Sequence, residues 1–370
     1  MIKLNYSQDR LAEAKEVRAR WYNGEKTRTP FILTGPPKDA GYRHNYKEMC
    51  EDSKIALDAM LSSIQYQLDT FPDCDYLPVM RLGYMGQGLL AALYGAEQYV
   101  VEKDPPFTKG RIFKDIYETE RLSNEFDFDT NVWGRKLKEH ADRFVDATKG
   151  QIPIGPPDFQ SPYGIASKLM PNEELMMALY DEPELTRQFL DKVTDGIIKL
   201  LETIEKWVGV GNFVHNVDNP IPGKCGIIIW DDYISVLNPE LHKEFCGPCN
   251  RKLYDRFGYG HLHTCGPYFP AYIDACLMCR PKSMDISIMR GETKTKSDLL
   301  EFLSIAQKNN IRLLGFLTIS DDSVFNNNWI QADNTLIEDF VRGGWMPQFR
   351  GDYEDGMAFA KIIQNIDKRI

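Results

Sequence analysis

The chain has no excess of positive charge, no apolar run long enough to span a membrane, and too few cysteines for a disulfide framework. Each absence excludes a class. With 44 Lys and Arg against 54 Asp and Glu the formal net charge is −10, and the basic residues are dispersed among the acids. The basic stripe that nucleic-acid phosphates require is therefore missing. Without a spanning run there is no helical membrane protein here, and Met1-Ile2-Lys3-Leu4-Asn5 lacks the apolar core of a secretory signal. A cytoplasmic location is expected, with neither nucleic acid nor membrane as partner. In a reducing compartment the eight cysteines, at 50, 74, 225, 246, 249, 265, 276 and 279, read as thiols or metal ligands. There is no internal repeat. Gly83-Tyr84-Met85-Gly86-Gln87-Gly88 departs from the G-x-G-x-x-G spacing of dinucleotide sites and reads as a tight turn.

What is present is the composition of an ordinary soluble protein, 43% hydrophobic and 26% charged. An amphipathic helix over 8–27 precedes a short apolar strand, and strand candidates then alternate with helices to a closing helix at 354–368. The helix at 183–207 is typical, with Leu185, Phe189, Val193, Ile197, Leu201 and Ile204 on one face. That order is the α/β order of a (β/α)8 TIM barrel. One domain is expected over 1–370, with an N-terminal helical extension and an excursion over 95–127 after the second strand.

Chemistry in such barrels sits where strands end and βα loops begin. This singles out Met80 and Arg81 at the end of the second strand, 75–81, Asp158 and Tyr163 in the loop after 152–156, and Gln348 in the last strand as substrate contacts. His215 closes a strand over 212–218 and can shuttle a proton. The apolar run from Cys225 delivers two adjacent acids, Asp231 and Asp232, suited to general acid/base work or hydroxyl recognition. A solvated loop carries such acids equally well.

Gly260-His261-Leu262-His263-Thr264-Cys265-Gly266-Pro267 has the alternation of a strand. His263 and Cys265 then share a face at its mouth with Cα atoms roughly 6–7 Å apart, a span that one metal ion bridges through an imidazole and a thiolate. A buried strand with packed His and Cys has the same pattern. His261 lies one pair further back, too far to join easily. Cys246-Gly247-Pro248-Cys249 has thioredoxin spacing but sits inside a helical pattern, and Cys276-Leu277-Met278-Cys279 reads as helix packing.

The segments Gly258 to Gly266, Trp230 to Glu240, and Pro162 to Ser167 followed by Leu179 to Pro183 resemble the uroporphyrinogen decarboxylase superfamily. That barrel family includes the corrinoid-dependent methyltransferases, and the likeness spans roughly 150–320. The decarboxylase features are absent: residues 34–43 lack paired arginines, Asp232 stands at the serine position, and 344–349 holds no histidine. His263-x-Cys265 instead resembles the two zinc ligands of the methyltransferase branch. The branch takes a third cysteine from the last barrel loop, and 343–352 has none. Cys225 is the expected substitute, with Cys276, Cys279, Asp232 and Glu292 behind it.

The resemblance implies a zinc-dependent methyltransferase in which Asp231, Asp232 and His215 are catalytic. It would move a methyl group between a small substrate and the cobalt of a corrinoid. The substrate would be a methyl ether such as a methoxylated aromatic, as in O-demethylation, or methanol, or a thiol. No cobalamin-binding segment is recognisable, so a separate corrinoid protein is the implied partner, admitted between the 95–127 excursion and the 219–230 loop. A homodimer is compatible with this. The alternatives are a metal-free lyase acting on a carboxylated ring and a barrel that serves only as a binding subunit.

Overall fold

The computed structural model describes residues 4–35, 45–264, 277–285, 296–318, 334–350 and 353–370. Ten strands form among them: β1 (Ile32–Thr34), β2 (Met80–Arg81), β3 (Glu97–Tyr99), β4 (Phe107–Lys109), β5 (Ile154–Gly155), β6 (Ile228–Trp230), β7 (His261–His263), β8 (Ser283–Asp285), β9 (Arg312–Thr318) and β10 (Trp345–Arg350). Six of them make a parallel sheet in the order β1-β10-β9-β8-β7-β6. β2 and β5 pair in parallel as a second sheet. Single bridges, Ile154 to Phe213 and Gln160 to Trp230, tie this pair back towards β6. The result is a mixed α/β, TIM-barrel-like arrangement. No strand pairing joins β1 to β2 among the described residues, and a cavity of about 820 Å³ occupies that seam.

The N-terminal helix, Gln8–Tyr22, starts where the Ser7 side chain accepts the Arg10 N–H. Its Leu11, Ala14, Trp21 and Tyr22 pack with Ile32, Leu77, Leu314 and Met346. Trp21 Nε1 donates to the Gly344 carbonyl at 3.1 Å and Tyr22 Oη to that of Cys225 at 2.9 Å, just before β10 and β6. The helix therefore closes the end at which the strands begin. Each large side chain buried there contributes on the order of 1.5–3 kcal/mol. Arg18, on the same helix, is buried and gives its guanidinium to Asn219 Oδ1 (2.9 Å) and to the carbonyls of Asp75 and Asp218.

Three local features differ from the sequence reading. Residues 212–218 do not form a strand: Asn216 Oδ1 accepts the N–H groups of Asp218 and Asn219, which turns the chain out of the sheet. Residues 158–163 are not all loop, because Ser161 caps a helix, Pro162–Leu169, with proline in its first turn. Pro248 marks no simple kink. A π-helical turn, His242–Cys246, precedes helix Gly247–Phe257, since the proline can offer no N–H to the preceding turn.

The 95–127 excursion is a β3–β4 antiparallel hairpin followed by a 3-10 segment, Ile116–Arg121. Gly86, at φ 83°, lies against the hairpin so closely that a Cβ there would stand 2.1 Å from the Pro106 carbonyl oxygen. No helix among the described residues is long and apolar enough to cross a membrane.

Candidate metal centre

Parallel register sets the site. Leu262 of β7 pairs with Met284 of β8, and both turn into the core under the helices. Alternation then puts His261 and His263 on the opposite face, beside Ser283 and Asp285. The Asp285 carboxylate meets both imidazoles, His261 Nε2 at 2.7 Å and His263 Nδ1 in a shorter contact. A carboxylate only accepts, so both of those nitrogens carry hydrogens. His261 Nδ1 is then the acceptor for the Ser283 hydroxyl at 2.9 Å, and the lone pair of a neutral His263 ring falls on Nε2. Burial pushes the Asp285 carboxyl up, but His261 and His263 hold it far below the usual carboxylate range. The ligand atoms of His261, His263 and Asp285 lie within 4.8 Å of one another, a nitrogen and oxygen donor set that could hold a metal ion if these hydrogen bonds gave way to coordination.

Around this group stand a carboxylate from β5's loop, an acid from β6's end and a lysine. Burial raises the Asp158 pKa, His263 and Lys168 oppose that, and Asp232 reinforces it. Asp158 Oδ1 is buried without a hydrogen-bond partner among the described residues. Burial lowers the pKa of Lys168, on the Ser161-capped helix, while Asp158 and Asp232 raise it. These shifts place Asp158, Lys168, Asp232 and His263 in one electrostatic neighbourhood.

Asp231 does not face the opening. It is fully buried, with Oδ1 accepting the Ser161 hydroxyl at 3.0 Å and Oδ2 accepting His242 Nε2 at 2.9 Å and Asn250 Nδ2 at 2.6 Å. Burial raises its pKa, yet His242, Asn250 and Ser161 leave it lowered overall. Its backbone N–H donates to the His263 carbonyl at 2.7 Å. Asp231 therefore joins the ends of β6 and β7 to two helices, and of the adjacent acids only Asp232 stands near Asp158.

The other expected residues are scattered. Arg81 and Gln348 line the seam cavity between β1 and β2, where Arg81 pairs with Asp218 at 2.8 Å. Met80 is fully buried in the core on the other face of the same strand, since neighbours along a strand alternate. Tyr163 is buried with its ring 4.6 Å from that of Tyr233, and its hydroxyl has no hydrogen-bond partner among the described residues.

His215 and Cys225 lie at the wrong end. Both line a cavity with Gly258, Tyr259 and Lys282, where β6, β7 and β8 begin. Cys225, three residues before β6, cannot share an ion with His263 at the end of β7. Burial also pushes its thiol up to about 12, and burial followed by the Arg256 charge lowers His215 to about 4. Cys265, Cys276 and Glu292 lie outside the described residues. Cys246, Cys249 and Cys279 are buried and form no disulfide among the described residues, with Cys279 Sγ on the Gly247 carbonyl at 3.5 Å.

Asp285, Lys168 and the Asp231 partners escaped the sequence reading, and His261, set aside as too far back, joins through Asp285. The signal for Asp285 was available: Ser283-x-Asp285 repeats the two-residue spacing of His261-x-His263 on the next parallel strand.

No family model matches this chain, and no curated protein matches it. Solved structures do. A methyltransferase from Methanosarcina mazei matches with TM-score 0.62 and 17% identity, covering 95% of this chain and 98% of that one. At that identity the likeness shows a shared fold over nearly the whole of both chains. A Cellulomonas fimi endo-beta-1,4-mannanase double mutant matches at TM-score 0.34 and 11% identity over 62% and 58%, too slight to carry an argument.

Proposed function

We propose that this protein is a zinc-dependent methyltransferase that exchanges a methyl group between a small substrate and the cobalt of a corrinoid carried by a partner protein. The observation that carries the reading is the His263–Asp285 pair at the C-terminal end of β7, within a fold shared with a methyltransferase. We take the barrel as closed by eight strands, one domain over 1–370, working in the cytoplasm.

His263 would hold zinc through Nε2, with Cys265 two residues on as the thiolate. Asp285 fixes the ring and its tautomer, the role carboxylates play behind metal-bound histidines. Bound zinc supplies a Lewis acid that polarises a substrate oxygen or lowers a thiol pKa. Asp158, kept protonated longer than an exposed acid by burial, is placed to hold a proton beside that substrate atom, and Lys168 balances the charge of Asp232. Substrate room is offered by the seam cavity, where Arg81 and Gln348 present polar groups and Tyr46, Tyr66 and Tyr76 an aromatic wall.

The experiment is metal analysis of the purified protein, followed by methyl transfer from methanol, a methoxylated aromatic or to a thiol, with corrinoid added and omitted. About one zinc per chain and a corrinoid-dependent rate are expected. Metal-free protein, or turnover that ignores corrinoid, would remove the proposal.

A further inference from the structure

The cavity at the N-terminal ends of β6, β7 and β8 is about 440 Å³, within the range of small-molecule sites. It lies at the opposite end of these strands from His263, so it is no part of the metal centre. Its walls are apolar, from Val210, Phe213 and Phe257, and its polar groups are of two kinds. At the rim stand three cations, Lys224, Arg256 and Lys282, on a chain whose net charge is −10. Arg256 is shared with Glu202 (Nε to Oε1, 2.6 Å), and Lys282 lies over the Tyr22 ring at 5.7 Å; neither lysine has an ion pair among the described contacts. Deeper in, the His215 ring is held between Phe213 and Phe257, with centroids 4.8 and 4.6 Å away. Its Nε2 is buried without a hydrogen-bond partner among the described residues, 4.0 Å from Glu205 Oε2. Buried polar nitrogens are rarely left unpaired, and one lining a cavity calls for a partner from whatever fills it.

We propose that this cavity is a second ligand site that takes a small hydroxylated organic phosphate. The phosphate sits at the rim, where Lys224, Lys282 and Arg256 offer charge-assisted hydrogen bonds. A hydroxyl reaches inward to His215 Nε2 and Glu205, which repels a second anion but accepts from a hydroxyl. The loop that carries Gly223 to Gly226 at this cavity begins at Val217 and Asp218, which line the seam cavity beside Arg81.

The test is titration calorimetry of the full chain with ribose 5-phosphate, inorganic phosphate and ribose. Ribose 5-phosphate should bind at least roughly tenfold more tightly than inorganic phosphate, and ribose should give no heat, since neither half of the site suffices alone. Replacing both exposed lysines, Lys224→Ala with Lys282→Ala, should weaken binding by about tenfold or more and leave zinc content unchanged. His215→Phe preserves the stacking between the two phenylalanines, so it should weaken binding several-fold without loss of thermal stability. The proposal is overturned if ribose 5-phosphate gives no heat at millimolar concentration, if inorganic phosphate binds as well as the ester, or if both variants bind like the wild type. Because none of these readouts involves methyl transfer, this site and the metal centre stand or fall separately.

Discussion

The two ends of β6, β7 and β8 make the instructive comparison. At the C-terminal end two buried carboxylates are matched, Asp285 with two histidines and Asp231 with a histidine, an asparagine and a serine, and only Asp158 Oδ1 among the buried carboxylates described there has no partner. At the N-terminal end, the His215 Nε2 atom has no hydrogen-bond partner among the described residues, and Lys224 and Lys282 have no ion pair among the described contacts. A matched end is built to hold its geometry, because breaking a buried pair strands a charge. An unmatched end holds its polar groups ready for something else.

The contrast is broken most severely by Asp231→Ala, which leaves His242, Asn250 and Ser161 facing a void. A loss of roughly 3–5 kcal/mol is expected for removing one member of a buried charged network, read as a lower urea midpoint. A midpoint unchanged from wild type would show that the network contributes nothing to holding β6 and β7 together.

Asp285→Asn comes next. If the carboxylate orients His263, zinc affinity should fall by about 10–100-fold in a chelator competition. A far greater loss would make Asp285 a ligand itself, and no change would take it out of the metal centre.

The third effect is in pH. His140 and His215 each have pKa values lowered to about 4 by burial, against about 6.5 in the unfolded chain. Between those values the unfolded state binds the proton and the folded state does not, so stability is full above pH ~6.5 and declines as pH falls toward 4. Each histidine costs roughly 2 kcal/mol at pH 5 by this linkage. His215→Phe should therefore narrow the difference in melting temperature between pH 7 and pH 5, and an equal difference in both proteins would contradict the buried, neutral histidine.

The smallest effect belongs to Arg81→Ala. Its pair with Asp218 is half exposed, and such pairs contribute about 0–1 kcal/mol, so melting should barely move. If the seam cavity holds substrate, KM should rise while kcat holds; an unchanged KM would place substrate elsewhere.

Much of the α/β order was legible, because Leu, Ile and Val recur at helical spacing over 183–207 and because β7, β9 and β10 are apolar or alternating runs bounded by turn residues. The failures share one cause. Residues 212–218 read as a strand by composition, but Asn216 folded its side chain onto the backbone and turned the chain away. Asp231 and Asp232 are neighbours in sequence, and the sequence does not say which of them faces the pocket; in the structure Asp231 is wholly buried and Asp232 half-buried. His215 and Cys225 were placed with the metal because they lie near strand ends, and strand composition does not say which end.

The sequence by itself determined the alternation of strand and helix and the shared face of His261 and His263, since both follow from the fixed periods of the backbone. Only the tertiary structure decided that Asp285 meets those two histidines, that Asp231 is a buried hub, and that His215 and Cys225 belong to the opposite end. The reason is that register between parallel strands is set by packing across segments far apart in the chain. Leu262 and Met284 bury together, and the residues on the other face are carried into contact by that choice.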